Sequence, residues 1–258
     1  MTRRPKVGIS MKSYQTLPRE AVSYAESFEK LLGDEKEIDI FFLPTAVSLY
    51  PAAKVLKDTS ILYGIQNIGP EANGAFTGEN SVESVKALNG SLVELGHYER
   101  RTIFRESTDM IAKKVALVLE QGLSPILCIG EEEKLSDKKQ LKKVLKSDLE
   151  SCLKYSDESK FSNLMIAYEP FWAIGKSDAA DPEYVHESHR LIRELLEELF
   201  GSSKAEKVHI IYGGSVSKDI AYDLANNEDV DGLFVGRFGH DPKNFKMIVN
   251  EVKRAKKL

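Results

Sequence analysis

A single carboxylate, Glu169, stands where an apolar strand gives way to an apolar loop. The run before it, Leu164–Tyr168, is typical of a strand buried on both faces of a parallel sheet. Pro170 ends that strand because its nitrogen carries no hydrogen to donate. Apolar side chains then continue through Phe171, Trp172, Ala173 and Ile174. This pattern predicts a lid that shields a proton-transferring carboxylate from water. A buried strand followed by a turn with a packed Trp172 explains the segment alone equally well.

One histidine, His97, also follows a predicted strand and precedes the charged turn Glu99–Arg101. A lone histidine is more often structural than catalytic. A helix that begins at this turn would disfavour the imidazolium form, because the N-terminus of a helix carries a partial positive charge. His97 can then stay neutral and donate a hydrogen bond to an oxygen on which negative charge develops.

Two further strand ends carry groups suited to an anionic ligand. Lys12 places a cation just past the first strand, although a lone lysine usually lies on the surface. The segment Tyr212–Ser215 contains Gly213 and Gly214, and paired glycines let backbone N–H groups approach an anion closely. Gly-Gly-Ser is common in ordinary turns, but between a barrel strand and a helix it favours a phosphate site.

Eight short apolar runs alternate with amphipathic helical patterns along the 258 residues. The predicted strands are Val7–Ser10, Ile38–Leu43, Ile61–Gln66, Leu92–Leu95, Pro125–Cys128, Leu164–Tyr168, Val208–Tyr212 and Gly232–Val235. The predicted helices include Arg19–Leu32, Ser107–Gln121, Lys138–Leu153, Pro182–Phe200, Lys218–Asn226 and Pro242–Ala255. This alternation predicts a parallel sheet, and eight units in about 250 residues favour one closed (β/α)8 TIM barrel, an α/β fold, as a single domain over residues 1–258. The carboxyl ends of all eight strands then share one face, where barrel enzymes have their active sites.

The composition excludes several classes of function. A net charge of −4, with a basic cluster only at Lys253–Lys257, argues against nucleic-acid binding. We find no apolar run of the roughly 18 residues that a membrane span requires and no signal peptide. Cys128 and Cys152 have neither disulfide-framework nor metal-site spacing, and we read both as buried thiols in a reducing cytoplasm.

The segment Ile166–Gly175, IAYEPFWAIG, closely resembles the catalytic-base and lid segment of the triosephosphate isomerase family. Other motifs match that family in the same order over nearly the whole chain. The resemblance implies that Glu169 is the catalytic base and that Lys12 stabilises negative charge on the substrate. It also implies that His97 is the neutral electrophile for which this family is known, and that Glu99 is an active-site carboxylate.

The same resemblance assigns residues that hold the phosphate and the lid. In the segment Cys128–Glu131, Glu131 matches a family carboxylate that helps to hold the open lid through Trp172. Tyr212 matches a residue that latches the closed lid. The positions that correspond to phosphate-binding residues of the family are Gly175, Ser215, Gly236 and Arg237.

A loop after the third strand, Gly74–Gly78, places Phe76 and Thr77 between two glycines. An ordinary surface loop fits this composition, but an exposed phenylalanine at a loop tip needs a cover. In the resembled family this loop enters the partner subunit, and its threonine approaches the neighbouring active site. We therefore expect a homodimer.

Together these groups suit proton abstraction next to a carbonyl on a small phosphorylated ketose or aldose, through an enediolate. The resemblance implies an isomerase of glycolysis and gluconeogenesis that acts in the cytoplasm on dihydroxyacetone phosphate and glyceraldehyde 3-phosphate. The lid would prevent loss of phosphate from the reactive intermediate. No metal or organic cofactor is required. A lyase or aldolase barrel would share the glycines but lack the ordered set of Lys12, His97 and Glu169.

The chain departs from the family pattern at several places. Ser10 and Met11 replace an asparagine and an aromatic residue, Tyr98 replaces a small hydroxyl residue, residues 176–178 change the second half of the lid, and Arg237 replaces a glycine. We predict that Ser10, Tyr98, residues 176–178 and Arg237 surround the bound sugar phosphate. Ser10 and the run Val235–His240 resemble a branch proposed to convert L-erythrulose 1-phosphate to D-erythrulose 4-phosphate by the same chemistry. The triose reaction is the family default, and a catalytically inert phosphate-binding barrel is a further alternative.

Overall fold

The computed structural model describes residues 3–15, 17–175 and 179–258. Eight parallel strands follow each other around a closed barrel, and the first pairs with the last. The strands are β1 (Lys6–Ser10), β2 (Asp39–Leu43), β3 (Leu62–Ile65), β4 (Leu92–Leu95), β5 (Ser124–Ile129), β6 (Met165–Tyr168), β7 (His209–Gly213) and β8 (Gly232–Val235). The predicted TIM barrel is therefore confirmed.

Helices surround the barrel and cover its outer apolar face. They are α1 (Pro18–Leu32), α2 (Ala46–Leu56), α3 (Val82–Ala87), α4 (Tyr98–Thr102), α5 (Thr108–Glu120), α6 (Lys138–Leu153), α7 (Pro182–Phe200), α8 (Ser202–Ala205), α9 (Ala221–Ala225) and α10 (Pro242–Lys256). Short 3-10 turns occupy Glu158–Asn163, Phe171–Ala173 and Arg237–Gly239. In the part of the chain that the structure describes, no helix is long and apolar enough to cross a membrane.

Helix boundaries follow local sequence signals. Helices α7 and α10 each begin with a proline that follows an aspartate, and the side chains of Asp181 and Asp241 accept a hydrogen bond from a first-turn backbone N–H. The predicted helix Lys218–Asn226 is shorter in the structure, at Ala221–Ala225. Helix α2 was not among the predicted helices, because Pro51 lies inside it and interrupts the usual pattern.

The barrel interior is filled by side chains that alternate along the strands. Phe41, Leu92, Ile126, Met165 and similar residues form an apolar cluster that is separate from the barrel–helix core. Small residues make room for it, since a side chain at Gly8 would collide with the ring of Phe41. Toward the carboxyl ends of the strands the inward positions become polar, and a cavity opens there.

Candidate active site

The cavity at the carboxyl end of the barrel has a volume of about 150 Å³. Its lining residues are Ser10, Lys12, Tyr14, Glu94, His97, Glu169, Ile174, Gly175, Gly214, Ser215, Phe234, Val235, Gly236, Arg237 and Phe238. The structure thus brings together all the predicted substrate-binding positions and three of the four predicted catalytic residues. The fourth, Glu99, lines an adjoining cavity of about 320 Å³ that shares Lys12 and His97 with the first.

Glu169 directly follows β6 and is 4% exposed. Two glycines make room for it: a side chain at Gly213 would lie 2.8 Å from Oε1, and one at Gly130 would lie 1.9 Å from the carbonyl oxygen of Glu169. Within the described chain, Oε2 has no hydrogen-bond partner. Burial raises the pKa of Glu169 to about 8, the charge of Glu94 adds to the effect, and Lys12 opposes it. A carboxylate held in this way is a strong candidate for a base.

His97 precedes α4, and its imidazole is nearly buried. The backbone N–H of Glu99 donates a hydrogen bond to Nδ1 at 3.1 Å, so in the neutral ring Nε2 carries the proton. Nε2 lies 3.7 Å from Oε2 of Glu169. Burial and the charge of Lys12 lower the pKa of His97 to about 3. The neutral ring therefore presents its Nε2–H group toward Glu169 across the cavity.

Lys12 is fixed by its backbone and by Glu99. Its φ of 48° lies in the left-handed region, and Gln66 Nε2 donates to its carbonyl oxygen at 3.0 Å. Nζ lies 2.5 Å from Oε1 of Glu99. Burial is the largest single effect and opposes the charge of Lys12, but the hydrogen bond and charge of Glu99, together with the charges of Glu169 and Glu94, outweigh burial and raise the pKa of the lysine. A permanent cation therefore faces the cavity beside His97.

The first half of the lid is anchored by Glu131. Its carboxylate accepts hydrogen bonds from Trp172 Nε1 at 2.8 Å, from the hydroxyl of Tyr184 at 2.8 Å and from the hydroxyl of Tyr168 at 3.1 Å. Pro170, Phe171 and Ala173 are buried, so the apolar lid residues cover the barrel end. The expected Glu131–Trp172 contact is present in the structure.

The second anchor of the lid lies on the strand-7 side. The backbone N–H of Ala180 donates to the Tyr212 hydroxyl at 3.1 Å, and the Ser215 hydroxyl donates to the carbonyl oxygen of Ala173 at 3.4 Å. Both ends of the lid thus contact the segment Tyr212–Ser215. Residues 176–178, the changed second half of the lid, lie outside the described residues.

The turns that follow β6, β7 and β8 line the cavity with backbone groups. Ser215 has a φ of 50°, and a side chain built at Gly236 would meet no atom within 4 Å. Gly175 also has a positive φ, of 73°. Arg237 begins a 3-10 turn, and its guanidinium lies 5.3 Å from the ring centre of Phe238. These turns leave open space beside several backbone N–H groups and one arginine, which suits a phosphate.

Three predicted features are not at this cavity or differ in detail. Phe76, expected to be exposed at a loop tip, is half-buried. Its ring folds back over Gly74, where an added Cβ atom would lie 3.4 Å from it. Thr77 is exposed, as expected for a loop that projects. Tyr98, predicted to adjoin the substrate, instead packs against Phe171 with ring centres 5.2 Å apart and is not among the residues that line the cavity.

Glu94 and Tyr14 line the cavity but were not singled out from the sequence. The signal for Glu94 was available: it is the one charged residue in the four-residue strand Leu92–Leu95. A carboxylate in an otherwise apolar barrel strand points to a polar ligand or partner inside the barrel.

Comparisons with known proteins give one family name for this chain. The sequence model of a family described as triosephosphate isomerase matches residues 5–252. "Probable triosephosphate isomerase 2" of Listeria monocytogenes is 42% identical over 254 residues, which cover 98% of this chain and 99% of that protein. "Triosephosphate isomerase 2" of Listeria innocua is also 42% identical with the same coverage. "Triosephosphate isomerase" of Solibacter usitatus is 38% identical over 96% of this chain and 99% of its own.

These names lend no specific support to the tetrulose reaction or to an inert barrel. Family model, coverage and barrel fold agree with one another over nearly the whole chain. The chain belongs to the triosephosphate isomerase family and is a sugar-phosphate isomerase of that type.

Proposed function

We propose that this protein interconverts dihydroxyacetone phosphate and glyceraldehyde 3-phosphate, with Glu169 as the base. The observation that carries the proposal is the pairing of a buried carboxylate with a neutral imidazole, 3.7 Å apart across one cavity. Glu169 would remove a proton from the carbon next to the carbonyl and return it to the neighbouring carbon. The substrate keeps all its atoms, and the carbonyl moves by one position.

His97 and Lys12 would stabilise the enediolate between the two proton transfers. The Nε2–H group of His97 donates to the oxygens of the reacting carbons, and Lys12 supplies a fixed positive charge. Glu99 would hold both, because its backbone N–H orients the ring and its carboxylate positions Nζ of Lys12. A neutral histidine suits this role, because the acidity of its N–H group is closer to that of an enediol than the acidity of an imidazolium would be.

The phosphate would bind to the turns that contain Gly175, Ser215, Gly236 and Arg237. Their common position along one wall supports this assignment. Backbone N–H groups there can donate to phosphate oxygens, and Arg237 can add a charge-assisted hydrogen bond. Ser10 ends β1, which pairs with β8, and lines the same cavity beside these turns, where it would contact the substrate.

The lid would exclude water and retain the intermediate. Pro170, Phe171, Trp172, Ala173 and Ile174 form an apolar cover over Glu169, and the Tyr212 hydroxyl would latch its far end. The contact of that hydroxyl with the Ala180 N–H supports the latch. An enediolate left open to solvent can expel its phosphate, so a closed lid protects the product.

Purified protein tests the activity directly. The expected result is turnover of dihydroxyacetone phosphate to glyceraldehyde 3-phosphate, and the reverse, that falls sharply in Glu169→Gln. Absence of turnover by a folded wild-type protein in both directions would overturn the proposal. The Asp231→Asn variant, changed at a buried carboxylate just before β8, controls for general effects of removing a buried carboxylate.

We also propose a homodimer in which the loop Gly74–Gly78 of one subunit enters the partner. Large apolar side chains are exposed near the adjoining cavity: Val47 (73%), Tyr50 (55%), Ile103 (67%) and Phe104 (61%). Phe104 itself lines that cavity, together with Lys12, His97 and Glu99. A partner loop that binds there would bury this apolar surface and restrict the motion of the catalytic residues that line the adjoining cavity.

Shortening Gly74–Gly78 tests the dimer. The wild type should sediment as a dimer at micromolar concentration, and the shortened variant as a monomer with reduced kcat/KM. A wild-type monomer at that concentration would refute the dimer. A dimeric variant with normal activity would refute the role of the loop, including that of Phe76 and Thr77.

Finally, we propose that the enzyme works in the cytoplasm. Cys128 and Cys152 are both free and buried thiols, which agrees with a reducing compartment. Cell fractionation with activity measured in each fraction would test this location.

A further inference from the structure

Tyr184 contacts the lid from the helix that begins after it. It lies in the first turn of α7, shortly after Ala180, whose backbone N–H donates to the Tyr212 hydroxyl. Its ring packs edge-on against the indole of Trp172, with ring centres 5.7 Å apart and the two planes at 75°. The Glu131–Trp172 contact was expected from the sequence, whereas Tyr184 was not singled out.

The hydroxyl of Tyr184 helps to satisfy the carboxylate of Glu131. Glu131 is 2% exposed, and its Oε1 accepts hydrogen bonds from the Tyr184 hydroxyl and from Trp172 Nε1, each at 2.8 Å. The backbone N–H of Leu135 donates to the same hydroxyl at 3.4 Å, so that the hydroxyl accepts one bond and donates the other. A buried carboxylate depends on such donors, because an unpaired charge is costly there. Burial raises the pKa of Glu131, whereas the hydrogen bonds from Trp172 and Tyr184 lower it.

Lys134 places a positive charge near both aromatic rings. Its Nζ lies 5.6 Å from the ring centre of Trp172 and 5.6 Å from that of Tyr184. A cation within about 6 Å of an aromatic ring is attracted to it. The lysine side chain is exposed, so the attraction is small, but it favours the arrangement in which the two rings lie together. The shared carboxylate, the ring packing and the lysine thus stabilise one position of Trp172.

This position of Trp172 is linked to the cover over the base. Phe171 and Ala173, on either side of Trp172 in the chain, are buried. Ile174 lines the active-site cavity together with Glu169. Trp172 therefore cannot shift far without moving the neighbouring side chains that cover the cavity. A contact that holds Trp172 also holds this part of the lid.

We propose that Tyr184 is a positioning residue that holds Trp172, and with it the lid, over the active site. It acts through Glu131 and the indole ring and is not among the residues that line the cavity. The proposal rests on the proposed function for the enediolate that the lid protects.

The consequence for the reaction concerns the enediolate. Under a displaced lid, the carbon–oxygen bond to the phosphate group breaks, and inorganic phosphate leaves with the bonding electron pair. The enol of a three-carbon ketoaldehyde remains. Loss of the Tyr184 hydroxyl should therefore raise the share of turnovers that end in phosphate release.

The fluorescence of Trp172 tests the contact without substrate. Trp172 is the single tryptophan of the chain, so quenching by acrylamide measures how accessible its indole is. We expect the quenching constant to rise in Tyr184→Phe, which keeps the ring but loses the hydroxyl, and to rise further in Tyr184→Ala. Tyr155→Phe is the matched control, because the Tyr155 hydroxyl also donates to a carboxylate oxygen at 2.8 Å, that of Asp109, outside the lid.

Turnover of dihydroxyacetone phosphate tests the effect on the lid. The measured quantity is the ratio of inorganic phosphate released to glyceraldehyde 3-phosphate formed. Tyr184→Phe should raise this ratio about 5-fold, since it loses one half-buried hydrogen bond to a charged group. Tyr155→Phe should match the wild type. Thermal unfolding checks each variant, and Tyr184→Phe decides alone if Tyr184→Ala does not fold.

An unchanged quenching constant in Tyr184→Phe would overturn the proposal. A larger quenching constant with an unchanged phosphate ratio would overturn it as well, because Tyr184 would then contact Trp172 without any effect on the protection of the intermediate. A wild type that does not isomerise triose phosphates refutes the proposed function instead. The quenching constants are measured without substrate and still decide whether Tyr184 holds Trp172.

Discussion

Acidic side chains are buried at both ends of the barrel, but the number of hydrogen bonds that they accept differs between the ends. At the amino end, Asp231 directly precedes β8 and is 5% exposed. It accepts hydrogen bonds from Arg193 Nη2 at 2.8 Å, from Arg3 Nε at 2.6 Å and from the backbone N–H of Ile210 at 2.8 Å. Two cations and a backbone donor thus satisfy this carboxylate within the protein.

At the carboxyl end, Glu169 and Glu94 are buried to a similar degree without such partners. Glu94 has one hydroxyl donor, and Oε2 of Glu169 has none among the described residues. Burial therefore does not distinguish a structural carboxylate from a functional one in this barrel. The number of hydrogen bonds does, because a ligand can complete the set at the carboxyl end but is not needed at the amino end.

The largest effect that this comparison predicts is on the base. Glu169→Gln should reduce kcat/KM by about 10²–10⁴ because the amide cannot take up a proton. Glu169→Asp, which withdraws the carboxylate by about 1 Å, should cost on the order of 100-fold. Neither change should lower the midpoint of thermal unfolding, since no hydrogen bond to Oε2 is lost. Near-normal turnover in Glu169→Gln would remove the assignment.

The opposite result is expected at the amino end. Asp231→Asn removes the closer of the two carboxylates beside the buried Arg193, since Asp229 lies 3.8 Å from Nε, and should lower the free energy of unfolding by about 3–5 kcal/mol. The folded variant should keep a kcat/KM close to that of the wild type, because Asp231 lies at the far end of the barrel. Urea unfolding and steady-state kinetics measure the two quantities. Loss of activity without loss of stability would contradict the division between the two ends.

A third prediction concerns His97 and its neutral form. With a pKa of about 3, the ring should carry no charge at neutral pH, and its Nδ1 should be the unprotonated nitrogen. The unfolded chain binds this proton near pH 6.5, so His97 should lower the stability of the fold as pH falls from about 6.5 to about 3. Nitrogen NMR, with His97→Gln to assign the signal, measures the charge state. An imidazolium signal at pH 7 would rule out the electrophile role.

The sequence was sufficient for the parts of the molecule that depend on local pattern. The strand Leu92–Leu95 and the helices Lys138–Leu153 and Pro182–Phe200 were predicted with their observed bounds, because apolar periodicity and capping residues mark them. Strand ends located Glu169 and His97, since a closed parallel barrel brings all such ends to one face.

Contacts between distant residues could not be predicted in the same way. Ser10 and Glu94 are 84 positions apart, and their hydrogen bond depends on the register of β1 and β4 around the barrel. The half-burial of Phe76 depends on how its loop folds back, which composition does not specify. The position of Tyr98 against Phe171 depends on the path of the lid. Each of these features is set by tertiary packing.

The smallest predicted effect is that of the Glu94 charge on the pKa of Glu169, at the carboxyl end of the barrel. Glu169 must lose its proton to act as a base, so kcat/KM should rise with pH through about 8 in the wild type. Glu94→Gln removes a negative charge from beside Glu169 and should shift this rise to lower pH. The substrate phosphate titrates in the same way with both enzymes, so the difference between the two profiles belongs to the protein. Asp231→Asn, a charge change at the other end, should leave the profile in place.

The pH dependence of stability should change in parallel. Glu169 binds its proton more tightly in the folded state than at its ordinary pKa of 4.5, so its stabilising effect is full below about pH 4.5 and is lost as pH rises through about 8. In Glu94→Gln this loss should be complete at a lower pH and smaller in total, because the folded-state pKa of Glu169 is nearer its ordinary value. Urea unfolding of both proteins between pH 5 and 9 measures the two curves. Parallel curves, with an unchanged kinetic profile, would mean that Glu94 carries no charge in the folded enzyme and does not raise the pKa of Glu169.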